Sequence, residues 1–501
     1  MPLGGEAGPP VNSSILHGLT GVSQLQEANI TGRGITVAMV DTGLDYLHPA
    51  LGRGIGEGFK VRFGVDLVGN DVQIGLSPRP KPDPYTECTE HGTHVSGIVA
   101  GKQSSLGFVG VAPDANLAHY RVAGCQKVPI QSDVVIQAVL MAHARKVDII
   151  SLSLTLDSGP YPDDALSDIL TRISQAGKSL IVVASGNYGW QGPFSARAPA
   201  SAPEVLTMKN LVAKGVRYVL IYDDENKPLF QFDNNFDGII AAGSTTAQVG
   251  RELIGALATG SNVVLNMDPD SHNMPYISVK GNSRPPGQIN GRGSWGPTGL
   301  GYSLTSILAP GQSIWSTLLR TWGGYGTLSG TSMAAPYIAG CTALVMQAHP
   351  GIGTVEVMRL LTSTARPLKF NDGTNKTYNF LSPVDLQGNG VVDALGAVQA
   401  KTVFSRSHLP WNDTEFFTGN MSLYLQNKGS EAAKYKFFHI PAVTVLALAG
   451  DSKTITPWTR DNSSTAASEE FLKSSLETAH ADVTIYPKSI TIQPGEWAMV
   501  Q

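Results

Sequence analysis

The sequence has little cysteine, little charge and no long hydrophobic run. Only three of its 501 residues are cysteines, at positions 88, 125 and 341, and so small and odd a number does not make a disulfide framework. Charged residues make up 15% of the chain and the formal net charge is -4, which gives no electrostatic footprint for nucleic acid. No apolar run reaches the roughly 18 residues of a membrane-spanning helix. We therefore expect neither a nucleic-acid partner nor a membrane span.

The first ten residues lack the basic and apolar stretches of a secretory signal peptide, so no signal peptide is expected in this chain. The sequence nevertheless contains six N-x-S/T sequons, the acceptor pattern of a secreted glycoprotein. Because such triplets also arise by chance, they favour secretion only modestly. The sequons lie at Asn12, Asn29, Asn375, Asn412, Asn420 and Asn462.

The residues that are abundant indicate a large globular protein with many loops. Hydrophobic residues make up 42% of the chain, enough to bury a sizeable core, and the length corresponds to roughly three domains. The 55 glycines and 31 prolines predict many turns and connecting loops, which is where functional residues concentrate.

Strand-like and helix-like patterns alternate through the first 200 residues, which predicts a parallel sheet with right-handed crossovers. One helix is expected after an N-cap at Ser132, and another is expected to end at Gly177. In such sheets the site lies beyond the carboxyl ends of the strands, and Asp41 and Asn187 both follow strand ends. The predicted strands are Ile35–Val40, Leu117–Val122, Asp148–Leu154 and Leu180–Ala184.

The later parts of the chain have different patterns. Residues from about 209 to 267 read as a small inserted module, with strands at Val216–Tyr222 and Gly238–Ala242 and a helix at Ala247–Ala258. Two clear helices follow, at Ser332–Ala348 and Thr354–Thr364. After about residue 400, short alternating runs separated by polar turns predict a β-sandwich. These runs are Met421–Leu425, Lys434–Phe438, Val443–Ala447, Val483–Tyr486 and Glu496–Val500.

Four short runs carry the residue types that nucleophilic catalysis needs, namely an acid, an oriented base, a nucleophile and an oxyanion donor. Asp41 begins DTGLD at the end of a predicted strand, and His91 begins HGTHVSG at the start of a helix. Ser332 lies in GTSMAAP at a helix N-terminus, where the backbone N–H groups favour a nearby negative charge. Asn187 ends ASGN after a buried strand and offers an amide donor.

These four runs, in this order, resemble the signatures of the subtilisin-like serine protease family. The resemblance implies an α/β catalytic domain whose parallel sheet has helices on both faces. It implies that Asp41 orients His91, that His91 is the general base, and that Ser332 attacks the peptide carbonyl. The Asn187 side chain and the Ser332 backbone N–H would form the oxyanion hole. The expected partners are protein or peptide substrates, and the expected reaction is endopeptidase hydrolysis.

Two segments resemble those that flank the substrate in this family, namely Ser153-Leu154 and Ala184-Ser185-Gly186. The inserted module resembles the second half of a protease-associated domain, and the C-terminal stretch resembles a fibronectin type III-like sandwich. The nearest group is that of the larger secreted microbial and fungal members, which implies an extracellular monomer without a cofactor. Structural calcium is frequent in the family, but no ligand set can be assigned here. The predicted domains are 1–208 and 271–400 (catalytic), 209–270 (partial insert) and 401–501 (sandwich, apparently truncated).

Several positions depart from the family pattern. Glu90 stands where the family usually has glycine before its histidine, and Thr155 replaces the glycine of the substrate-flanking Ser-Leu-Gly. The first half of the protease-associated domain is expected to be missing after Met208. These departures support an alternative, in which the chain is a catalytically impaired or incomplete relative that acts as a binding module.

Other interpretations of single residues remain open. Asp41 and Asp157 both precede a short run ending in glycine and could form an aspartic-protease dyad, although that enzyme is all-β. His91 and His94 are three residues apart and could bind a metal, but His94 fits a packed structural residue better. Asn187 could simply be a turn residue.

The cysteines also leave alternatives. Cys88 and Cys125 flank the histidine segment and the next strand, and we expect them to pair in an oxidising compartment and to stay thiols otherwise. Cys341 lies in an apolar helix and is expected to be a buried thiol.

Overall fold

A computed structural model describes residues 13–72, 78–126, 128–156, 165–189, 193–200, 218–221, 241–244, 252, 287–289, 293–298, 306–371, 377–411, 415–446 and 476–501. No helix among these residues has both the length and the apolar character needed to cross a bilayer. The helices are α1 Ser13–Leu19, α2 Val22–Glu27, α3 His91–Ala100, α4 Ser132–Ala144, α5 Ala165–Ala176, α6 Thr331–Ala348, α7 Thr354–Ser363, α8 Val384–Gln387 and α9 Ala394–Gln399.

The described strands fall into one parallel central sheet and several small sheets. In chain order they are β1 Thr36–Asp41, β2 Val61–Asp66, β3 Lys102–Gln103, β4 Phe108–Val109, β5 Asn116–Arg121, β6 Ile149–Leu152, β7 Leu180–Val183, β8 Tyr218–Ile221, β9 Ala241–Ser244, β10 Ile314–Thr317, β11 Tyr325–Leu328, β12 Lys369–Asn371, β13 Thr377–Leu381, β14 Thr402–Phe404, β15 Leu423–Asn427, β16 Ala433–Lys436, β17 Thr444–Val445, β18 Leu476–Glu477, β19 Ser489–Ile492 and β20 Trp497–Val500.

The central sheet has five strands in the order β2-β5-β1-β6-β7, and every neighbouring pair is parallel. Its inner strands are short apolar runs because both of their faces are buried, as is typical of parallel sheets. The prediction of a parallel sheet built from strand–helix–strand units is confirmed. The order also explains the position of the site, since the chain reverses direction across the sheet at β1 and the strands on either side of it end at one edge.

Helices cover both faces of this sheet, as the sequence predicted. Val37 and Met39 of β1 pack into a core that contains residues of α3 and α6. Ala38 and Val40, which alternate with them, pack against residues of α4 and α5 in a second core. The helix α6 is buried almost throughout its length, so it belongs to the interior of the domain.

Two predicted helix ends can be compared with the structure. Gly177 follows α5 with φ 69°, a left-handed conformation that glycine adopts without strain, as predicted. The N-cap prediction at Ser132 is wrong by one residue. Gln131 is the N-cap and Ser132 the first helical residue, because the Gln131 carbonyl accepts the first intrahelical bond, from Val135 N–H at 3.2 Å.

The C-terminal part contains antiparallel sheets, which fit the predicted β-sandwich: β14-β15-β20, β16-β19 and β17-β18. The strand predicted at Val483–Tyr486 is absent. Tyr486 exchanges two backbone hydrogen bonds with Gln501, but the next residue is Pro487, whose missing N–H cannot continue a ladder. The strand lies instead at Ser489–Ile492 and pairs with β16.

The described residues between Leu211 and Ser283 belong to a separate compact unit. Within it, β8 and β9 are parallel, with Tyr218 opposite Ala241. These strands fall within or beside the two predicted for the inserted module. The helix predicted at Ala247–Ala258 lies, apart from Glu252, outside the described residues, and the resemblance of the module to half of a protease-associated domain stays a prediction.

Candidate active site

Asp41 and His91 form a hydrogen-bonded pair at the carboxyl edge of the central sheet. Asp41 is the last residue of β1 and its side chain is buried, while His91 is the first residue of α3 and is partly exposed. His91 Nδ1 lies 2.8 Å from Asp41 Oδ1. Because a carboxylate only accepts, Nδ1 is the protonated ring nitrogen. In the neutral imidazole, Nε2 is then an acceptor, which is the state that a general base requires.

Glycines fix where α3 begins. Gly92 N–H donates to the Thr42 hydroxyl at 3.0 Å, and a Cβ at Gly92 would lie only 2.1 Å from the Gly43 carbonyl oxygen. No other residue fits there, so the tight contact between this turn and the end of β1 places His91 beside Asp41. Glu90 is the N-cap residue with φ -84°, a conformation open to any residue, so this position does not require the glycine usual in the family.

Ser332 lies in the first turn of α6. Its neighbours in the helix, from Thr331 through Met346, are buried, whereas Ser332 itself remains partly accessible. Two reciprocal hydrogen bonds connect it to the end of β6. Ser332 Oγ donates to the Ser153 carbonyl at 3.3 Å, and Ser153 Oγ donates to the Ser332 carbonyl at 2.9 Å.

The sheet register brings the Asp41–His91 pair and the Ser332 region to the same place. Val40 of β1 pairs with Leu152 of β6, so the next residues, Asp41 and Ser153, follow at the same level on adjacent strands. Neighbouring strands are about 5 Å apart. The acid of the Asp41–His91 pair therefore ends one strand, and Ser332 is hydrogen-bonded to the residue that follows the neighbouring strand.

The Asn187 amide is oriented by Thr331, the residue before the serine. Asn187 Oδ1 accepts from Thr331 N–H at 3.2 Å and from the Thr331 hydroxyl at 3.1 Å. The amide nitrogen Nδ2 consequently faces away from Thr331 as a donor. A Cβ at Gly330 would lie 3.2 Å from Nδ2, so glycine leaves room for this amide. The left-handed residue of the turn is Gly186, with φ 106°, which accounts for the turn without Asn187.

Ser294 holds the turn on both sides of Asn187. Ser294 N–H donates to the Gly186 carbonyl at 2.8 Å, and the Ser294 hydroxyl accepts from Tyr188 N–H at 3.1 Å. Sequence reasoning missed this residue, because it lies about a hundred positions downstream in a glycine-rich segment without periodicity. No local signal in the sequence could have found it.

The predicted substrate-flanking residues follow the two strands at one edge of the sheet. Ser153 and Leu154 follow β6, and Ala184, Ser185 and Gly186 follow β7. Their side chains are buried, so what they present to a ligand is backbone and not side-chain chemistry.

Cys88 and Cys125 are joined by a disulfide, with a Cα–Cα distance of 5.4 Å. The buried Arg121 guanidinium lies beside it, with Nη2 3.7 Å from Cys88 Sγ and 3.5 Å from Cys125 Sγ. Arg121 also donates to Asp66 at 3.0 Å, which neutralises its buried charge. Cys341 is a buried thiol, and burial raises its pKa.

The structure bears on two alternative interpretations, a metal site at His94 and an aspartic-protease dyad with Asp157. His94 is fully buried and its Nε2 lies 3.0 Å from the Ile314 carbonyl, while burial lowers its pKa to about 3. It therefore behaves as a packed structural residue. Among the described residues, no group of three His, Cys, Asp or Glu side chains could hold a metal ion. Asp157 lies outside the described residues, but a parallel sheet between helices is not the all-β fold that an aspartic-protease dyad needs.

Comparisons with known proteins give several relatives by sequence. The chain is 26% identical to the minor extracellular protease Vpr of Bacillus subtilis, over 95% of this chain and 65% of Vpr. It is 26% identical to subtilisin E of the same organism, over 70% of this chain and 66% of that protein. The serine protease AprX of Bacillus subtilis is 28% identical over 74% of this chain and 67% of its own length.

The chain thus spans about two thirds of the length of these relatives. A solved structure of the prenylagaramide maturation protease PagA matches with a TM-score of 0.45 and 20% identity, over 76% of this chain and 97% of that one. The sequence profile of the subtilase family (Peptidase_S8) matches residues 32–397, well over half of the chain. The chain therefore belongs to the subtilase family.

Proposed function

We propose that the protein is a serine-type endopeptidase in which Asp41, His91 and Ser332 act as the catalytic triad. The observation that carries the proposal is the 2.8 Å contact between His91 Nδ1 and Asp41 Oδ1, beside a serine at the N-terminus of a buried helix. An Asp–His pair that leaves Nε2 free of its proton is the arrangement that activates a serine hydroxyl.

The proposed reaction begins when Ser332 Oγ, which donates to the Ser153 carbonyl in this structure, turns toward His91. His91 Nε2 takes the proton of Ser332 Oγ, which attacks the peptide carbonyl and forms a tetrahedral intermediate. The Asn187 amide, held by Thr331, and the Ser332 backbone N–H donate to the oxyanion. His91 then gives its proton to the leaving amine, and an acyl-enzyme remains on Ser332. Water, deprotonated by the same imidazole, hydrolyses the ester and releases the serine.

Substrate recognition is proposed to involve Ser153-Leu154 on one side of the peptide and Ala184-Ser185-Gly186 on the other. Because the side chains of these residues are buried, an extended peptide would be held mainly through its backbone. That mode accepts many sequences, which suits an enzyme that degrades proteins.

The proposed localisation, oligomeric state and accessory domains rest on the resemblance to the larger secreted members of the family. We propose a secreted, monomeric enzyme that needs no cofactor, with a protease-associated insert and a fibronectin type III-like sandwich. Two of the sequon asparagines, Asn29 and Asn420, have exposed positions, which is compatible with glycosylation.

A fluorophosphonate probe tests the function directly, because it reacts only with an activated serine. We expect stoichiometric labelling of the full chain, loss of labelling in Ser332→Ala, and cleavage of unfolded casein by the unchanged protein. A folded chain that neither reacts with the probe nor cleaves casein, yet binds peptides, would instead establish the binding-module alternative.

A further inference from the structure

A buried histidine lies beneath the catalytic aspartate in the central sheet. In the register between β1 and β5, Met39 is opposite His119 and Asp41 is opposite Arg121. Residues two positions apart on a strand point to the same face. His119 therefore shares the face of Asp41 and is its diagonal neighbour, a relation close enough for long side chains to interact.

The polar edge of the His119 ring faces the turn that carries His91. His119 is completely buried. A Cβ placed on Gly92, the residue after His91, would lie 3.0 Å from His119 Cε1. This carbon lies between the two ring nitrogens, so both nitrogens lie near the start of α3 and not toward the outer edge of the sheet.

Several buried polar atoms on this face of the sheet have no hydrogen-bond partner among the described residues. They include Nδ1 and Nε2 of His119 and Oδ2 of Asp41, and also Oγ of Ser151, which lies opposite Met39 on β6. The other carboxylate oxygen, Oδ1, accepts from Thr42 N–H at 2.7 Å and from His91. Buried polar atoms are nearly always partnered, by protein or by ordered water, so these atoms call for an explanation.

The unpartnered atoms are chemically complementary. Burial lowers the pKa of His119 to about 4, with Arg121 lowering it further and Asp41 opposing the shift. The ring is therefore neutral near pH 7 and has one N–H donor, while Asp41 Oδ2 is an acceptor without a donor. The ionisable groups acting on this region are Asp41 on β1, Arg121 on β5, and His91 and His94 on α3.

We propose that His119 is a positioning residue for Asp41, donating through one buried water molecule to Asp41 Oδ2. The inference rests on the proposed protease function. Because the water-mediated hydrogen bond from His119 fixes Oδ2, the carboxylate does not rotate and Oδ1 stays directed at His91 Nδ1. The same bond withdraws charge from the carboxylate, so its loss would make Asp41 a stronger acceptor and raise the pKa of His91.

The test compares His119→Phe with His119→Gln in the full chain. Phenylalanine keeps the ring volume and removes the donor, whereas glutamine keeps an N–H donor. His17→Phe is the matched control, because His17 is also buried, with its pKa lowered to about 4, but packs edge-on against Tyr337 outside the site.

For His119→Phe we expect kcat per probe-titrated site to fall about tenfold with KM unchanged, as for a loss of orientation in the transition state. The acid limb of the kcat/KM pH profile should move to higher pH. His119→Gln should recover most of the rate, and His17→Phe should match the unchanged protein.

The outcomes separate the two proposals. If the unchanged protein is not labelled by the fluorophosphonate, the protease function itself fails. If it is labelled and His119→Phe keeps both the rate and the acid limb, only the positioning role is overturned. Should His119→Phe fail to fold, a high-resolution crystal structure of the unchanged protein decides. A water within hydrogen-bond distance of Asp41 Oδ2 and a His119 ring nitrogen supports the inference, and its absence there refutes it.

Discussion

Thr331 should control the oxyanion hole without touching the substrate, and replacing it by valine tests this. Its hydroxyl and its backbone N–H both donate to Asn187 Oδ1, at 3.1 and 3.2 Å, and so fix which end of the amide faces the reacting carbonyl. Valine has nearly the same shape but no hydroxyl. In Thr331→Val, the amide keeps one of its two donors and loses the other.

The expected magnitude follows from those two bonds. A neutral hydrogen bond contributes about 0.5–1.5 kcal/mol, which corresponds to a loss in kcat of roughly two- to twelvefold if the whole effect reaches the transition state. Removal of the oxyanion donor itself, in Asn187→Ala, should cost about 10²–10³-fold. Thr331→Ser retains the hydroxyl and should stay close to the unchanged enzyme.

The assay is steady-state hydrolysis of a chromogenic peptide, with active sites counted by fluorophosphonate titration. KM should change little, since the bond acts on the oxyanion and not on the bound substrate. The double variant Asn187→Ala/Thr331→Val should be no slower than Asn187→Ala alone, because the hydroxyl then has no amide to orient. If Thr331→Val slows both backgrounds equally, the hydroxyl acts elsewhere and the reasoning is wrong.

Three further predictions concern stability and folding. Replacing both Cys88 and Cys125 by alanine should lower the unfolding free energy by about 4 kcal/mol, the loop-closure value for a separation of 37 residues, as measured by urea titration; an unchanged midpoint would contradict it. Gly92→Ala should abolish probe labelling or prevent folding, whereas Gly353→Ala, where a Cβ meets nothing within 4 Å, should do neither; normal labelling of Gly92→Ala would show that the turn is not tight. The free energy of unfolding should fall as the pH drops from 6.5 toward 4, because the buried His17, His94 and His119 have folded pKa values of about 3 to 4 and only the unfolded chain takes up their protons. Each histidine adds up to about 1.4 kcal/mol per pH unit to the slope of unfolding free energy against pH, and replacing one of them by phenylalanine should reduce that slope in urea titrations at several pH values.

Local patterns predicted the elements of the catalytic domain well. The strands ending at Asp41 and Val183 and the helix beginning beside Ser332 appear within about a residue or two of their predicted bounds, because apolar periodicity and glycine signals act over short stretches. The failure at Val483–Tyr486 has a local cause too. The alternating pattern was present, but the following proline ends hydrogen bonding in that direction.

Contacts between distant segments could not be predicted in this way. The support that Ser294 gives to the turn of Asn187, and the position of His119 under Asp41, depend on strand order and register. Patterns in a single sequence indicate which strands exist but not which ones are neighbours. Family resemblance supplied the residues of the proposed triad, whereas the residues that support Asn187 and lie below Asp41 could be identified only from the fold.

The order of the elements along the chain has a consequence for biosynthesis. Asp41, His91 and the β5 strand between Asn116 and Arg121 all lie in the first quarter of the sequence, whereas Ser332 follows Asp41 by about 290 residues. At a translation rate of roughly 5–20 residues per second, a ribosome needs about 15–60 s to cover that interval. Asp41 and His91 are therefore synthesised long before Ser332. Because α6 also supplies much of the core beneath the sheet, the sheet cannot pack fully before α6 has been synthesised. Under the proposed function, the chain could not cleave itself or its neighbours on the polysome until most of the domain had been synthesised.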